Sequence, residues 1–385
     1  GLSVMSGVGL HGVTAMATPS LPALPPAIEP IILVIPVSDV EAGTLADRVA
    51  AFSDLEGVRI TGNLNGDDIN CIRELACNGL KYLDISGCNI VAGETEFQQG
   101  THETESISAV GGHVVILNPS RDVVNNVIGI GMFASLSTLE TIILPNTVTR
   151  IEASALRDCP NLKSVTVGSS TSDLSSCCVF SGCSNPTSVT LESYSYYTIR
   201  DNTVYTSDLK TVVTALPAAP QGMALLNTVD SIAPYAFYNR SDITGITIPQ
   251  GVKSIGAYAF YHSGISTLNL PRSVVQIYQG AFWKCTNLTA VDFPENLEVI
   301  GKGSFADCNL QEIDLSKTKL TEIAGNDGYR NGNSYWRTEV SAFEGNDNLA
   351  KVCLPRTMTS IGRKAFSSAN LTDIYCYAVT PPSMY

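Results

Sequence analysis

SIAPYAF (231–237), SIGAYAF (254–260), QIYQGAF (276–282) and VIGKGSF (299–305) are four versions of one phrase. Their last residues, Phe237, Phe260, Phe282 and Phe305, fall 23, 22 and 23 residues apart. A phrase that recurs roughly every 20–30 residues marks a solenoid, in which one unit too small to bury its own apolar side is stacked until the sides join.

Between the phrases lies a hexad, apolar at its first, fourth and sixth positions. It reads Leu139/Ile142/Leu144, Leu162/Val165/Val167, Pro186/Val189/Leu191, Ile243/Ile246/Ile248, Ile265/Leu268/Leu270, Leu288/Val291/Phe293, Leu310/Ile313/Leu315, Leu349/Val352/Leu354 and Leu371/Ile374/Cys376. Earlier copies are Leu55/Val58/Ile60 and Leu80/Leu83/Ile85. The last two apolar positions are two apart, the spacing of same-face residues on a strand, so each hexad predicts one short strand of a parallel stack. Pro145, Pro249, Pro271, Pro294 and Pro355 follow the strands and stop them, because proline lacks the donor that the next ladder bond needs. Ile232, Ile255, Ile277, Ile300 and Ile361, each five residues before a Phe, predict a second apolar wall facing the first.

The Ile-Gly-x-x-Ala-Phe element, with Cys three residues after the Phe and then Leu-x-x-Ile-x-Leu-Pro, resembles the leucine-rich repeat of BspA-like bacterial surface proteins. The likeness runs through most of residues 127–376, and AGTLADRV (42–49), TGNLNGDDIN (61–70) and LKYLDISGCNI (80–90) are similar to the start of such proteins. It implies a repeat solenoid, a leucine-rich repeat right-handed β-α superhelix of about eleven short parallel strands with an N-terminal helical cap. It also implies a non-enzymatic protein, at the cell surface or secreted, that adheres to or recognises host or bacterial macromolecules.

The expected organisation is a Pro-rich leader or tether over 1–36, of which 18–36, with six prolines, reads as an extended tether or as an edge strand laid on the first turn, and one solenoid over 37–385 with insertions near 90–127, 192–228 and 324–342. Thr44 with Asp47 reads as a capping box for a helix that turns Leu45, Val49 and Phe52 inward. A second helix is expected from Asp67 to Ala76, with Asp67 near its cap. With 23 basic and 36 acidic residues the net charge is −13, a surface that repels phosphate backbones, so nucleic acid is not an expected partner. The longest apolar run, Ile31 to Ile35, is far short of the about 20 residues of a membrane helix, so no membrane span is expected. The first basic residue is Arg48, so no secretory n-region is visible and a leader is expected to lie outside this sequence.

Cys159, Cys183, Cys285 and Cys308 each follow the Phe position by three, a slot fixed by the repeat, and read as packed thiols rather than crosslinks. A bridge among Cys71, Cys77, Cys88, Cys177 and Cys178 stays open. Scattered histidines (His11, His102, His113, His262) and the lack of a CxxC pair argue against zinc and against a neutral-pH base, so neither cofactor, metal nor catalytic residue is expected. Gly7, Gly9 and Gly12 spell GxGxxG without a preceding strand, and read as leader.

Hexad positions three and five point away from the core. Thr247, Asn269, Asp292, Glu312 and Asp314 therefore form a candidate ligand face that turns from hydroxyl and amide to acid. The acids alone are compatible with a glycosidase pair or a calcium site, though solvated acids are the commoner outcome. Tyr238, Tyr261 and Trp283, each one residue after a Phe, predict an aromatic row that either meets a ligand or packs on itself. Tyr335 and Trp336 in the third insertion complete the candidates, since loops on a rigid array are where binding residues concentrate. The expected partner is an extracellular protein, with a glycan-binding or glycan-processing component as the alternative.

Overall fold

A computed structural model of the protein describes residues 32–97, 122–174, 179–180, 183, 188–191, 196–217, 219–325 and 340–384. Tyr335, Trp336, Cys177, Cys178 and the glycines at 7, 9 and 12 lie outside the described residues. The chain divides into units Gly1–Ile32 and Leu33–Tyr385, and every helix and strand named below belongs to the second.

Each hexad forms a strand. Val34–Val40, Gly57–Leu64, Tyr82–Ile90, Thr141–Ile143, Ser164–Val167 and Ser188–Leu191 make one six-stranded parallel sheet. The same wall continues as Gly222–Ala224 with Gly245–Thr247, Thr267–Asn269 with Ala290–Asp292, and Glu312–Asp314 with Lys351–Leu354 and Asp373–Cys376. Register follows the hexad, fourth position on fourth position: Leu83 on Ile142 on Val165 on Val189, Leu268 on Val291, and Ile313 on Val352 on Ile374. A one-residue slip would turn every apolar side chain outward, which is why the register holds over so many coils.

Two strands of this wall were not anticipated as hexads. Val34–Val40 runs parallel to Gly57–Leu64, so residues 34–36 take the edge-strand alternative. Gly222–Ala224 pairs with Gly245–Thr247 and belongs to a degenerate hexad, Pro220/Met223/Leu225.

The facing wall is built of two-residue strands such as Arg150–Ile151, Ser231–Ile232, Ser254–Ile255, Gln276–Ile277 and Val299–Ile300, with Ile232, Ile255, Ile277 and Ile300 in register and buried. Helix is confined, among the described residues, to α1 (Leu45–Val49) and α2 (Gly66–Cys77). The β-α expectation is therefore corrected to β-strand and turn. Two left-handed residues flank Phe237, Phe260 and Phe282 at −2 and +2: Tyr235 (φ 61) and Asn239 (φ 57), Tyr258 (φ 54) and His262 (φ 52), and Gly280 (φ 62) and Lys284 (φ 59). Two such residues four apart interrupt any right-handed helix.

The Phe rings form a ladder. Phe237, Phe260, Phe282, Phe305, Phe343 and Phe366 stack with centroids 4.7, 5.1, 5.1, 5.6 and 5.7 Å apart and planes within 12°. The core it anchors is not continuous. The insertion supplies a hairpin, Tyr197–Arg200 with Thr203–Thr206, that pairs antiparallel with Thr211–Ala215. Its side chains alternate between two apolar clusters: Val204 and Val213 join the N-terminal core, Tyr205 and Val212 the C-terminal one. The hairpin is a septum, apolar on both faces.

α1 differs from expectation at both ends. Thr44 makes no side-chain cap, its hydroxyl donating instead to Glu41 O at 2.8 Å, and Phe52 is exposed because the helix has ended at Val49. The capping box belongs to α2, with Asn65 as N-cap and Asp68 answering it. Asp68, 1 % exposed, also accepts Gly43 N–H at 2.7 Å and Leu45 N–H at 2.9 Å, so one carboxylate ties the start of α1 to the start of α2.

All described cysteines are free. The repeat slot three after the Phe position is a hydrogen-bond donor: Cys159, Cys183, Cys285 and Cys308 donate S–H to Phe133 O, Leu156 O, Phe260 O and Phe282 O, at 3.2, 3.0, 3.0 and 3.1 Å. Burial pushes the Cys285 thiol up to about 11 and raises Cys308 well above its ordinary value, which keeps the donor proton in place. Asn346 fills the same slot and donates to Phe305 O at 2.8 Å. Cys308→Val should cost about 1–3 kcal/mol in urea unfolding because Phe282 O is left buried without a donor. Cys308→Ser keeps a donor and should cost less; equal costs would show that the slot is packing alone.

Candidate binding face and aromatic edge

The hexad strands present positions three and five to solvent at a spacing fixed by the ladder. Thr247, Asn269, Asp292, Glu312 and Asp314 are all exposed, and Asn269 lies in register beside Asp292. The three acids lie on neighbouring coils. Asp292 belongs to one two-stranded piece of the wall and Glu312 and Asp314 to the next. Lys351, in register with Glu312, places Nζ 2.5 Å from its Oε1 and stands 5.9 Å over the Tyr375 ring. Asp314 Oδ1 accepts Ser316 N–H at 2.9 Å; partial burial raises its carboxyl, and the Ser316 bonds outweigh that and leave it below the usual range. Among the described residues no three His, Cys, Asp or Glu are grouped to hold a metal ion.

Charge at hexad position two alternates over the four hexads that begin at Leu55, Leu80, Leu139 and Leu162. Glu56 holds Lys81 at 2.6 Å and Glu140 holds Lys163 at 2.8 Å, so hexad position two reads minus, plus, minus, plus. In a parallel stack equal residues fall opposite one another, and like charges there repel; alternation turns the cost into weak attraction.

At position five Arg59 Nε donates to Asp84 Oδ2 at 2.7 Å, and Ser86 N–H and Oγ–H both donate to Asp84 Oδ1, at 3.0 and 2.7 Å. Burial pushes the Asp84 carboxyl up, but the Ser86 and Arg59 bonds prevail and hold it below its ordinary value. Because the folded pKa is the lower one, the stabilisation is full above the unfolded value of about 3.9 and is lost as pH falls from there through the folded pKa. Urea midpoints measured from about pH 5 to about pH 2.5 should fall less steeply for Asp84→Asn than for the natural chain; parallel curves would exclude Asp84 as a contributor.

The aromatic row takes its packed alternative. Tyr261 is 7 % exposed and Trp283 3 %, while Tyr238 is half-buried. Tyr238 stacks on Tyr261 at 4.8 Å, Tyr235 on Tyr258 at 5.5 Å, and Tyr261 meets Trp283 edge-on at 5.7 Å. Trp283 Nε1 donates to Asp307 Oδ2 at 2.9 Å, and Lys284 Nζ stands 5.8 Å over Tyr261. Rings one coil apart lie within stacking distance of each other, so the row buries itself.

Six copies of the BspA-type leucine-rich repeat region match residues 122–216, 221–331 and 331–380. No curated protein matches the sequence significantly. Among solved structures the chain is similar to a leucine-rich repeat protein from Eubacterium ventriosum, at 16% identity over 67% of this chain and 82% of that one, TM-score 0.43. It is also similar to a leucine-rich cell surface protein from Faecalibacterium prausnitzii, at 18% identity over 89% and 82%, TM-score 0.43. The pneumococcal vaccine antigen PcpA is a further neighbour, at 16% identity over 64% of this chain and 58% of PcpA, TM-score 0.38. The repeat model spans more than half of the sequence and breaks where the hairpin ends and the wall resumes: the chain belongs to the BspA-type leucine-rich repeat family.

Proposed function

We propose that the protein is a non-enzymatic binding protein of the cell surface or secreted space that adheres to host or bacterial macromolecules through the outward hexad face and its inserted loops. The observation that carries this reading is the exposed run Thr247, Asn269, Asp292, Glu312 and Asp314 on a wall whose register is fixed from beneath. Family membership supports it, since repeat arrays present extended surfaces for recognition. In the same reading α1 and α2 cap the core at its N-terminal end and the coils wind right-handed.

The test is capture of surface proteins and glycans by the purified chain and by Thr247→Arg with Asn269→Arg. Both positions are exposed, so folding should be kept while a docked ligand is displaced. Loss of capture by about tenfold or more in the variant supports the face, tenfold being about 1.4 kcal/mol. Undiminished capture moves the site elsewhere, and a captured glycan that is cleaved would overturn the non-enzymatic reading.

A further inference from the structure

The two apolar clusters meet at the hairpin, and its two sides are fastened by different means. On the C-terminal side the fastening is backbone. Thr211–Ala215 pairs in parallel with Ser231–Ile232, Ala233 N–H donates to Val212 O at 2.9 Å, and Ala215 N–H donates to Ala236 O at 2.8 Å. The Arg240 guanidinium adds donors to Ala215 O, Leu216 O and Pro217 O at 3.2, 2.7 and 3.3 Å, and its ion pair with Asp242 at 2.7 Å holds it there.

On the N-terminal side a side chain takes the place of a strand. Asp173 forms a parallel bridge with Arg150, its N–H donating to Thr149 O at 3.2 Å and its carbonyl accepting Ile151 N–H at 3.1 Å. The flanking groups Ser172 O and Leu174 N–H belong to the opposite edge, which faces the next coil. In an ordinary parallel ladder one residue of the next strand donates to the first of these and accepts from the second. Here Tyr197 Oη does both, donating to Ser172 O at 2.8 Å and accepting Leu174 N–H at 3.1 Å. A phenol hydroxyl can stand in for a peptide unit because it is donor and acceptor at once. The apolar contact beside it is imperfect. A small cavity is lined by Leu174, Val189 and Leu191 on one side and by Val204 and Thr214 of the hairpin on the other. Atoms that face a void forfeit dispersion partners, so this contact holds less firmly than a filled one.

We propose that the molecule carries a built-in parting line at this place: the hairpin and the C-terminal block separate from the N-terminal block as one folded body when the Tyr197 hydroxyl releases Ser172 and Leu174. A backbone ladder cannot be undone at a single side chain, whereas this fastening can. The line runs along the face of the hairpin that carries Val204 and Val213 and leaves Tyr205 and Val212 packed where they are. Each block keeps an apolar core of its own, so parting requires neither to unfold. It is independent of what the outward face binds.

Native-state amide exchange on the full chain tests this. In the natural chain Leu174 should exchange through an opening that leaves Ala233, which reports the ladder on the other side of the hairpin, protected. Tyr197→Phe keeps the ring and removes the hydroxyl, and should speed Leu174 exchange by about tenfold or more with Ala233 unchanged. Loss of one local bond would do the same, so a second variant decides. Val204→Ala touches neither bond of the hydroxyl but enlarges the cavity, and should speed Leu174 exchange by about threefold or more, again with Ala233 unchanged. Leu174 exchanging no sooner than Ala233 in the natural chain, indifference of Leu174 to Val204→Ala, or equal acceleration of both amides in either variant overturns the parting line.

Discussion

Phe282→Ala should lower the unfolding free energy by about 3–5 kcal/mol, the usual cost of emptying a buried phenylalanine site. Its ring is fully buried and lies 5.1 Å from both Phe260 and Phe305, with planes 6° and 12° from theirs. Neighbouring rings cannot collapse into the void, because each is held at its own coil by the parallel strands on either side. Denaturant unfolding should show the loss, and Phe282→Leu should recover part of it. A loss below about 1.5 kcal/mol would mean that the ladder is loosely packed.

Asp68→Ala should cost about 2–4 kcal/mol, because it leaves the buried amide of Leu45 and the part-buried amides of Gly43 and Asn65 without the acceptor they share. The damage should be local. α1 loses the carboxylate that ties it to the start of α2, so amide exchange should rise over residues 43–50 well before it rises on the Phe ladder. Asp68→Asn keeps one acceptor oxygen and should cost less than the alanine variant. Equal exchange at both places would show that the two ends of the array unfold together.

What was legible in the sequence is what the stack repeats. A core built by adding identical coils demands the same side chain at the same place each time, so the hexads and the Phe period could be read from spacing, and so could the register that follows from them. Chemistry that varies within one slot was harder to see. The third position after Phe reads from spacing as a thiol place, yet its role is to donate to a carbonyl, as Asn346 shows by doing the same work without sulfur.

Thr-x-x-Asp at 44–47 and Asn-x-x-Asp at 65–68 are both valid capping patterns, and the tertiary bonds of Asp68 choose the second. The hairpin did leave a signal: TVYT and TVVTA are apolar at consecutive positions, which on a strand means burial on both faces. For the candidate site, Thr247, Asn269, Asp292, Glu312 and Asp314 were correctly placed outward by parity. The burial of Tyr261 and Trp283 was one of two open alternatives, since spacing alone does not say whether stacked rings leave a face to solvent.

The septum has a thermodynamic corollary. Val204 and Val213 belong to one apolar mass and Tyr205 and Val212 to the other, so the array is thermally two blocks sharing a thin partition. Nearest-neighbour cooperativity is weakest where fewest side chains interlock, and calorimetry should resolve two melting steps with the hairpin as their border. Under mechanical load the same border would part first, letting one block yield while the other stays folded.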